Sequence, residues 1–178
     1  MRNIFKIIVI CFFSLVIISR CSQQKKTDLT AQDIARVRHD IEKTWKQFID
    51  KWEQGSAVAA AAFFTEDGIN VPSLDSTQRG RDEISAYFTN IFLTSNIEVV
   101  SQKVNEVFVH ENMAYEFGTI EQIVKPHNAE AVNIKHRYVS VFKKQEDGSW
   151  KFHRWMGQQA QEDTKVTNSE NLEFYIYL

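Results

Sequence analysis

The stretch that decides the fold is Tyr138-Val139-Ser140-Val141-Phe142-Lys143, with Trp150-Lys151-Phe152-His153-Arg154-Trp155 a few residues on. Both runs are rich in β-branched and aromatic residues, the composition of strands. Gln145-Glu146-Asp147-Gly148-Ser149 lies between them, and its Asp-Gly pair tolerates the positive φ that a tight hairpin turn requires. A two-stranded ribbon is marginal in water, so this hairpin must pair further and bury one face. Strict alternation sets His153 and Trp155 on one face and Trp150, Phe152, Arg154 and Met156 on the other; a single β-bulge would exchange them. The His153/Trp155 face is the candidate pocket wall.

Working upstream, residues 97–109, 113–124 and 132–143 read as strands. They are separated by turns at His110-Glu111-Asn112 and at Lys125-Pro126-His127-Asn128. Before them the period is helical. Thr30-Ala31-Gln32-Asp33 has the form of a capping box. Ile34, Val37, Ile41, Trp45, Phe48 and Trp52 then follow at three- and four-residue steps, ending at Gly55. Ser56 can cap a short helix over 57–64, Thr65–Gly68 turns the chain, and 69–71 is a brief strand closed by Pro72. After a polar loop at 73–79, Gly80 opens a third helix over 81–92 that buries Ile84, Phe88 and Ile91. Three helices followed by four antiparallel strands predict an α+β domain over 30–158, with helices on one face of a curved sheet of about four to six strands.

Residues 1–21 read as a leader. Arg2 and Lys6 form a basic start, and 7–18 is an uncharged apolar run. That run falls short of the roughly 20 residues of a spanning helix and fits a signal segment. Ile18-Ser19-Arg20-Cys21 resembles the lipobox of bacterial lipoproteins, which implies lipid attachment at Cys21, although Arg20 stands where a small residue usually precedes the cysteine. The expectation is a protein of the bacterial cell envelope, held extracytoplasmically at a membrane by an N-terminal lipid or anchor. Residues 22–29 would form its polar tether and 159–178 a C-terminal extension. Both cysteines, Cys11 and Cys21, lie in the leader, so the domain offers no disulfide, thiol nucleophile or cysteine metal site. Removing Arg2, Lys6 and Arg20 takes Lys+Arg from 21 to 18 against 23 acidic residues, a formal charge of −5. A mildly acidic domain without a basic stripe argues against a nucleic-acid partner.

The order and motifs of the domain resemble the SnoaL-like and ketosteroid-isomerase-like branch of the nuclear-transport-factor-2-like superfamily. The motifs are Phe63-Phe64-Thr65-Glu66-Asp67-Gly68, Arg79-Gly80-Arg81-Asp82-Glu83-Ile84, Tyr138-Val139-Ser140-Val141-Phe142 and Asp147-Gly148-Ser149-Trp150-Lys151-Phe152. The resemblance implies a cone-shaped fold, an apolar cavity between helices and sheet, and frequent dimerisation through the sheet. Positions matching the isomerase's tyrosines hold Phe48 and Phe88. Its general base falls at Val71 or Pro72 and its second acid at Ser140. None of Phe48, Phe88 and Val71 can move a proton or stabilise an enolate, so ketosteroid isomerisation is excluded.

By the same matching, His153 and Trp155 line the cavity, with Tyr115 and Phe117 on a neighbouring strand. His153 is either an acid/base and ligand donor or a strand histidine satisfied by backbone. Trp155 is either a stacking surface or core. Arg137 and Arg154 could hold an anionic ligand, but read rather as exposed strand residues pairing with Glu116 or Glu121 across the sheet. His39, His110, His127 and His136 show no ligand spacing, so no metal and no cofactor is expected. The sequence therefore points to a tethered binder of a small apolar or aromatic molecule, its cavity lined by Phe48, Phe88, Tyr115, Ser140, His153 and Trp155. The alternatives are a lyase or isomerase working through His153, and a protein-interaction module with a vestigial cavity.

Overall fold

A computed structural model describes residues 29–160. The leader, Cys21, most of the tether and all but the start of the C-terminal extension lie outside the described residues. No helix among the described residues is long and apolar enough to cross a membrane.

Helix α1, Ala31–Glu53, starts at the expected capping box. The Thr30 hydroxyl accepts from the Asp33 N–H at 3.1 Å, and the Asp33 carboxylate accepts from the Thr30 N–H at 3.2 Å. Its apolar stripe buries Ile41, Trp45 and Phe48, while Ile34, one turn from the end, stays at the surface. Helix α2 is shorter than expected, Ala57–Ala61, and Ser56 makes no side-chain cap. Helix α3 runs Arg81–Thr94 and buries Ile84 and Phe88.

Six strands follow the order β2-β1-β6-β5-β4-β3 in one curved, unclosed sheet: β1 Phe64–Val71, β2 Gln78–Arg79, β3 Ser95–His110, β4 Met113–Pro126, β5 Val132–Lys144 and β6 Trp150–Gln159. The α+β class thus holds, with two additions to the expected topology. β1 joins β6 in parallel, and the two-residue β2 borders it as a short edge. The β5–β6 hairpin turns at Gly148, φ 85°, while Asp147 accepts from the Ser149 N–H at 2.9 Å.

Bulges shape the sheet. On β3, Val100 and Asn105 lie outside the pairing with β4, and α1 side chains take backbone groups beside these positions. The Glu53 carboxylate accepts from the Val99 N–H at 2.7 Å, and the Arg38 guanidinium donates to the Val104 carbonyl at 2.6 Å. These contacts seat α1 against an edge strand whose backbone would otherwise be open to another chain. On β1, the turn expected at Thr65–Gly68 is replaced by continuous strand, in which only the register against β6 shifts between the paired positions Phe64 and Ile69. Arg81 ties that irregular part of β1 by donating to the Phe64 carbonyl at 2.9 Å and pairing with Glu66.

Candidate functional site

Even-numbered residues of β4 and β5 face the helices: Ala114, Glu116, Gly118 and Ile120 on one strand, His136, Tyr138, Ser140 and Phe142 on the next. On β6 the parity changes. Phe142 pairs with Phe152 and Val141 with Arg154, so His153 is the extra residue of a bulge. Trp150, Phe152 and Trp155 therefore share the inner face, and Arg154 and Met156 point outward. The expectation of opposite faces for Phe152 and Trp155 is corrected by that one inserted residue.

The inner face and helices α1 and α3 enclose a cavity of about 340 Å³. Its deep walls are Trp45, Phe48, Phe64, Phe88, Phe152 and Trp155. The residues joining α1, α3 and β6 make a continuous set of edge-to-face contacts, such as Trp45 against Phe152 at 4.8 Å and Trp52 against Phe88 at 4.8 Å between centroids. Polar side chains enter from Asn70, Gln122 and His136, and from the segment after β1, where Ser73, Leu74 and Asp75 reach the rim. The Tyr87 hydroxyl on α3 donates to Asp75 at 2.8 Å, and burial together with that carboxylate pushes its pKa up. Burial pushes the His136 pKa down, so the imidazole is neutral at pH 7.

Of the six residues picked from the sequence, Phe48, Phe88 and Trp155 meet at this cavity; Tyr115, Ser140 and His153 do not line it. Tyr115 faces outward because β4 alternates strictly and its even positions take the core. Phe117, expected beside it on the cavity, is outward for the same reason. His153 sits in the bulge, its Nδ1 3.0 Å from the Thr65 hydroxyl and 3.6 Å from Asp67. Its pKa is lowered by burial first and by Arg154 second. Ser140 is fully buried beneath the cavity wall, between Glu116 and Trp155 in the strand register, and its Oγ has no hydrogen-bond partner among the described residues.

Glu116, expected on the sheet surface, is fully buried. The Trp45 indole donates to its two oxygens at 3.0 and 2.8 Å, and the Tyr138 hydroxyl donates to Oε1 at 2.5 Å. Gln102 donates to the Tyr138 oxygen at 2.5 Å. Burial lifts the carboxyl to about 7 against these donors, which pull it down. The group lies behind the cavity wall and holds Trp45, a lining residue, in place. A lone acid in a strand reads as surface, and the only sequence signal was its alternation with Ala114, Gly118 and Ile120. His136 was missed similarly, though it alternates with Ile134 and Tyr138.

Two glycines let the aromatic wall lie flat. A Cβ on Gly118 would collide with the Tyr138 ring and the Lys103 carbonyl, and one on Gly157 with the Trp155 indole. Tyr138 and Trp155 stack at 6.4 Å and 25° over this floor. Among the described residues no three His, Cys, Asp or Glu side chains gather to hold a metal ion.

A family model described as a SnoaL-like domain matches residues 45–153. The chain belongs to the SnoaL-like family. No curated protein matches the sequence of this SnoaL-like protein. Among solved structures, a ketosteroid isomerase-like protein from Erwinia carotovora atroseptica superposes with a TM-score of 0.64 at 16% identity, covering 75% of this chain and 100% of its own. A protein from Novosphingobium aromaticivorans, provisionally named a scytalone dehydratase, gives 0.62 at 18%, covering 80% and 98%. A domain of unknown function with a cystatin-like fold from Nostoc punctiforme gives 0.57 at 24%, covering 75% and 81%. These likenesses establish the fold that the SnoaL-like domain shares with them.

Proposed function

We propose that this SnoaL-like domain binds a small apolar or aromatic molecule in the cavity between α1, α3 and the inner face of the sheet. The observation that carries the proposal is the cavity's size and lining: about 340 Å³, walled by aromatic side chains with a few polar groups. Small-molecule sites have this size and character. The names of two similar structures, a ketosteroid isomerase-like protein and a scytalone dehydratase, refer to small cyclic molecules, in line with such a ligand. Catalysis through His153 has less support, because that side chain stands in the β6 bulge and is absent from the cavity wall. Trp45, Trp52 and Trp155 line the cavity, so a ligand should quench tryptophan fluorescence saturably. Filling the space with Ile120→Trp should abolish that response. A panel of cyclic apolar compounds giving no saturable quenching would count decisively against binding.

The proposal extends to the envelope and to a second copy. Tethering at a membrane rests on the leader sequence, its basic start, its apolar run over 7–18 and the Ile18–Cys21 motif; Cys21→Ser should remove a lipid mass from the protein and release it from membranes. Pairing is supported by the outer face, where Phe108, Phe117 and Met156 are 56%, 43% and 56% exposed in neighbouring register with Tyr115 and Val139.

A further inference from the structure

We propose that Asn70 gives the cavity its chemical selectivity, accepting a hydrogen bond from a hydroxyl on an uncharged, ring-bearing ligand and disfavouring the carboxylate of the same ring system. The proposal rests on the cavity binding a small molecule at all, as argued above.

Asn70 lines the cavity from β1 and is only 4% exposed. The direction of its amide follows from its neighbours. The Gln78 Nε2 group donates to the Ser76 carbonyl, which leaves Gln78 Oε1 as the acceptor facing Asn70. Asn70 Nδ2 donates to that oxygen at 2.7 Å. The Asn70 carboxamide oxygen is therefore the free end, without a hydrogen-bond donor among the described residues. Ser140 Oγ is the one inaccessible side-chain polar atom lacking a partner among those residues, so the Asn70 oxygen opens onto accessible space. Gln78 does not line the cavity and Asn70 does, which directs that oxygen toward a bound molecule.

The charges agree with this assignment. Among the described residues no Lys or Arg lines the cavity, and Asp75 is the only lining side chain with a formal charge. A carboxylate in the cavity would lose hydration without a cation to replace it, and it would bring acceptors to an acceptor. A phenol or alcohol brings a donor. His136, neutral and on the inner face of β5, can take the hydroxyl lone pair of a ligand that reaches the rim.

Calorimetric titration of the full-length chain with 2-naphthol, 2-methoxynaphthalene and 2-naphthoate, one ring system with three substituents, tests the assignment. 2-Naphthol should bind about tenfold more tightly than either of the others, the worth of one hydrogen bond in an apolar site. Asn70→Leu should bring 2-naphthol down to the affinity of 2-methoxynaphthalene. Equal or tighter binding of 2-methoxynaphthalene or 2-naphthoate by the native chain overturns the role of Asn70 and leaves cavity binding standing. That comparison needs no variant, so a failure of Asn70→Leu to fold does not blunt it. Failure of all three compounds to bind overturns cavity binding and this assignment together.

Discussion

Burial lifts the Glu116 carboxyl from its ordinary 4.5 to about 7, because the side chain has left water for a wall of Trp45, Tyr138 and Gln102. The folded chain then keeps a proton that the unfolded chain releases between those two pH values. Stability from this group is fully present below about 4.5 and is lost as pH rises through 7. His136 and His153, both pushed down by burial, work in the opposite sense, losing stability as pH falls, so the variant comparison isolates Glu116. The stability difference between the native chain and Glu116→Gln should shift by up to about 3 kcal/mol between pH 4.5 and pH 8, the native chain faring relatively better in acid. Urea denaturation at the two pH values measures it, and parallel curves would mean that Glu116 titrates normally.

At the scale of elements, β4 and β6 each depend on a position with no side chain or with one residue too many. Gly118 leaves room for the Tyr138 ring, whose hydroxyl reaches Glu116. Gly118→Ala should cost about 2 kcal/mol through displacement of that ring. It should also weaken the hold on Glu116 and shift the carboxyl's titration, which carbon-detected NMR of the labelled side chain can follow. An unchanged unfolding midpoint would show that Tyr138 repacks freely. The His153 bulge is the second device. It lets Phe152 and Trp155 share the inner face although they stand an odd three positions apart, and so builds the cavity wall from both halves of β6.

For the whole molecule, the outer sheet face carries aromatic and apolar side chains in adjacent register, and the proposed second copy would cover them. Phe117→Glu places a charge at the middle of that patch on a side chain already exposed, so the fold should persist. Sedimentation should report twice the chain mass for the native protein and a single mass for the variant. A native monomer at high micromolar concentration would rule out pairing through this face.

Local chemistry was legible in the residues themselves. The Thr30/Asp33 box, the three- and four-residue stripe of α1, the Asp147-Gly148 turn and the alternating strands each depend on neighbours a few positions apart, and each is present. Phe48, Phe88 and Trp155 reached the cavity through the same regularity and the family resemblance. What lay beyond the sequence depended on distant partners. Trp45 and Glu116 are 71 positions apart, and nothing local distinguishes a strand glutamate that meets a buried indole from one that meets water. One extra residue at His153 reversed the faces of β6, and parallel pairing brought Asn70 beside Trp155. Sequence alone therefore determined the long helices, the four long strands and the α+β class, because those follow from short-range periodicity. Which side chains face the cavity was decided by tertiary structure, because a strand residue's side is set by pairing and bulges across the whole sheet.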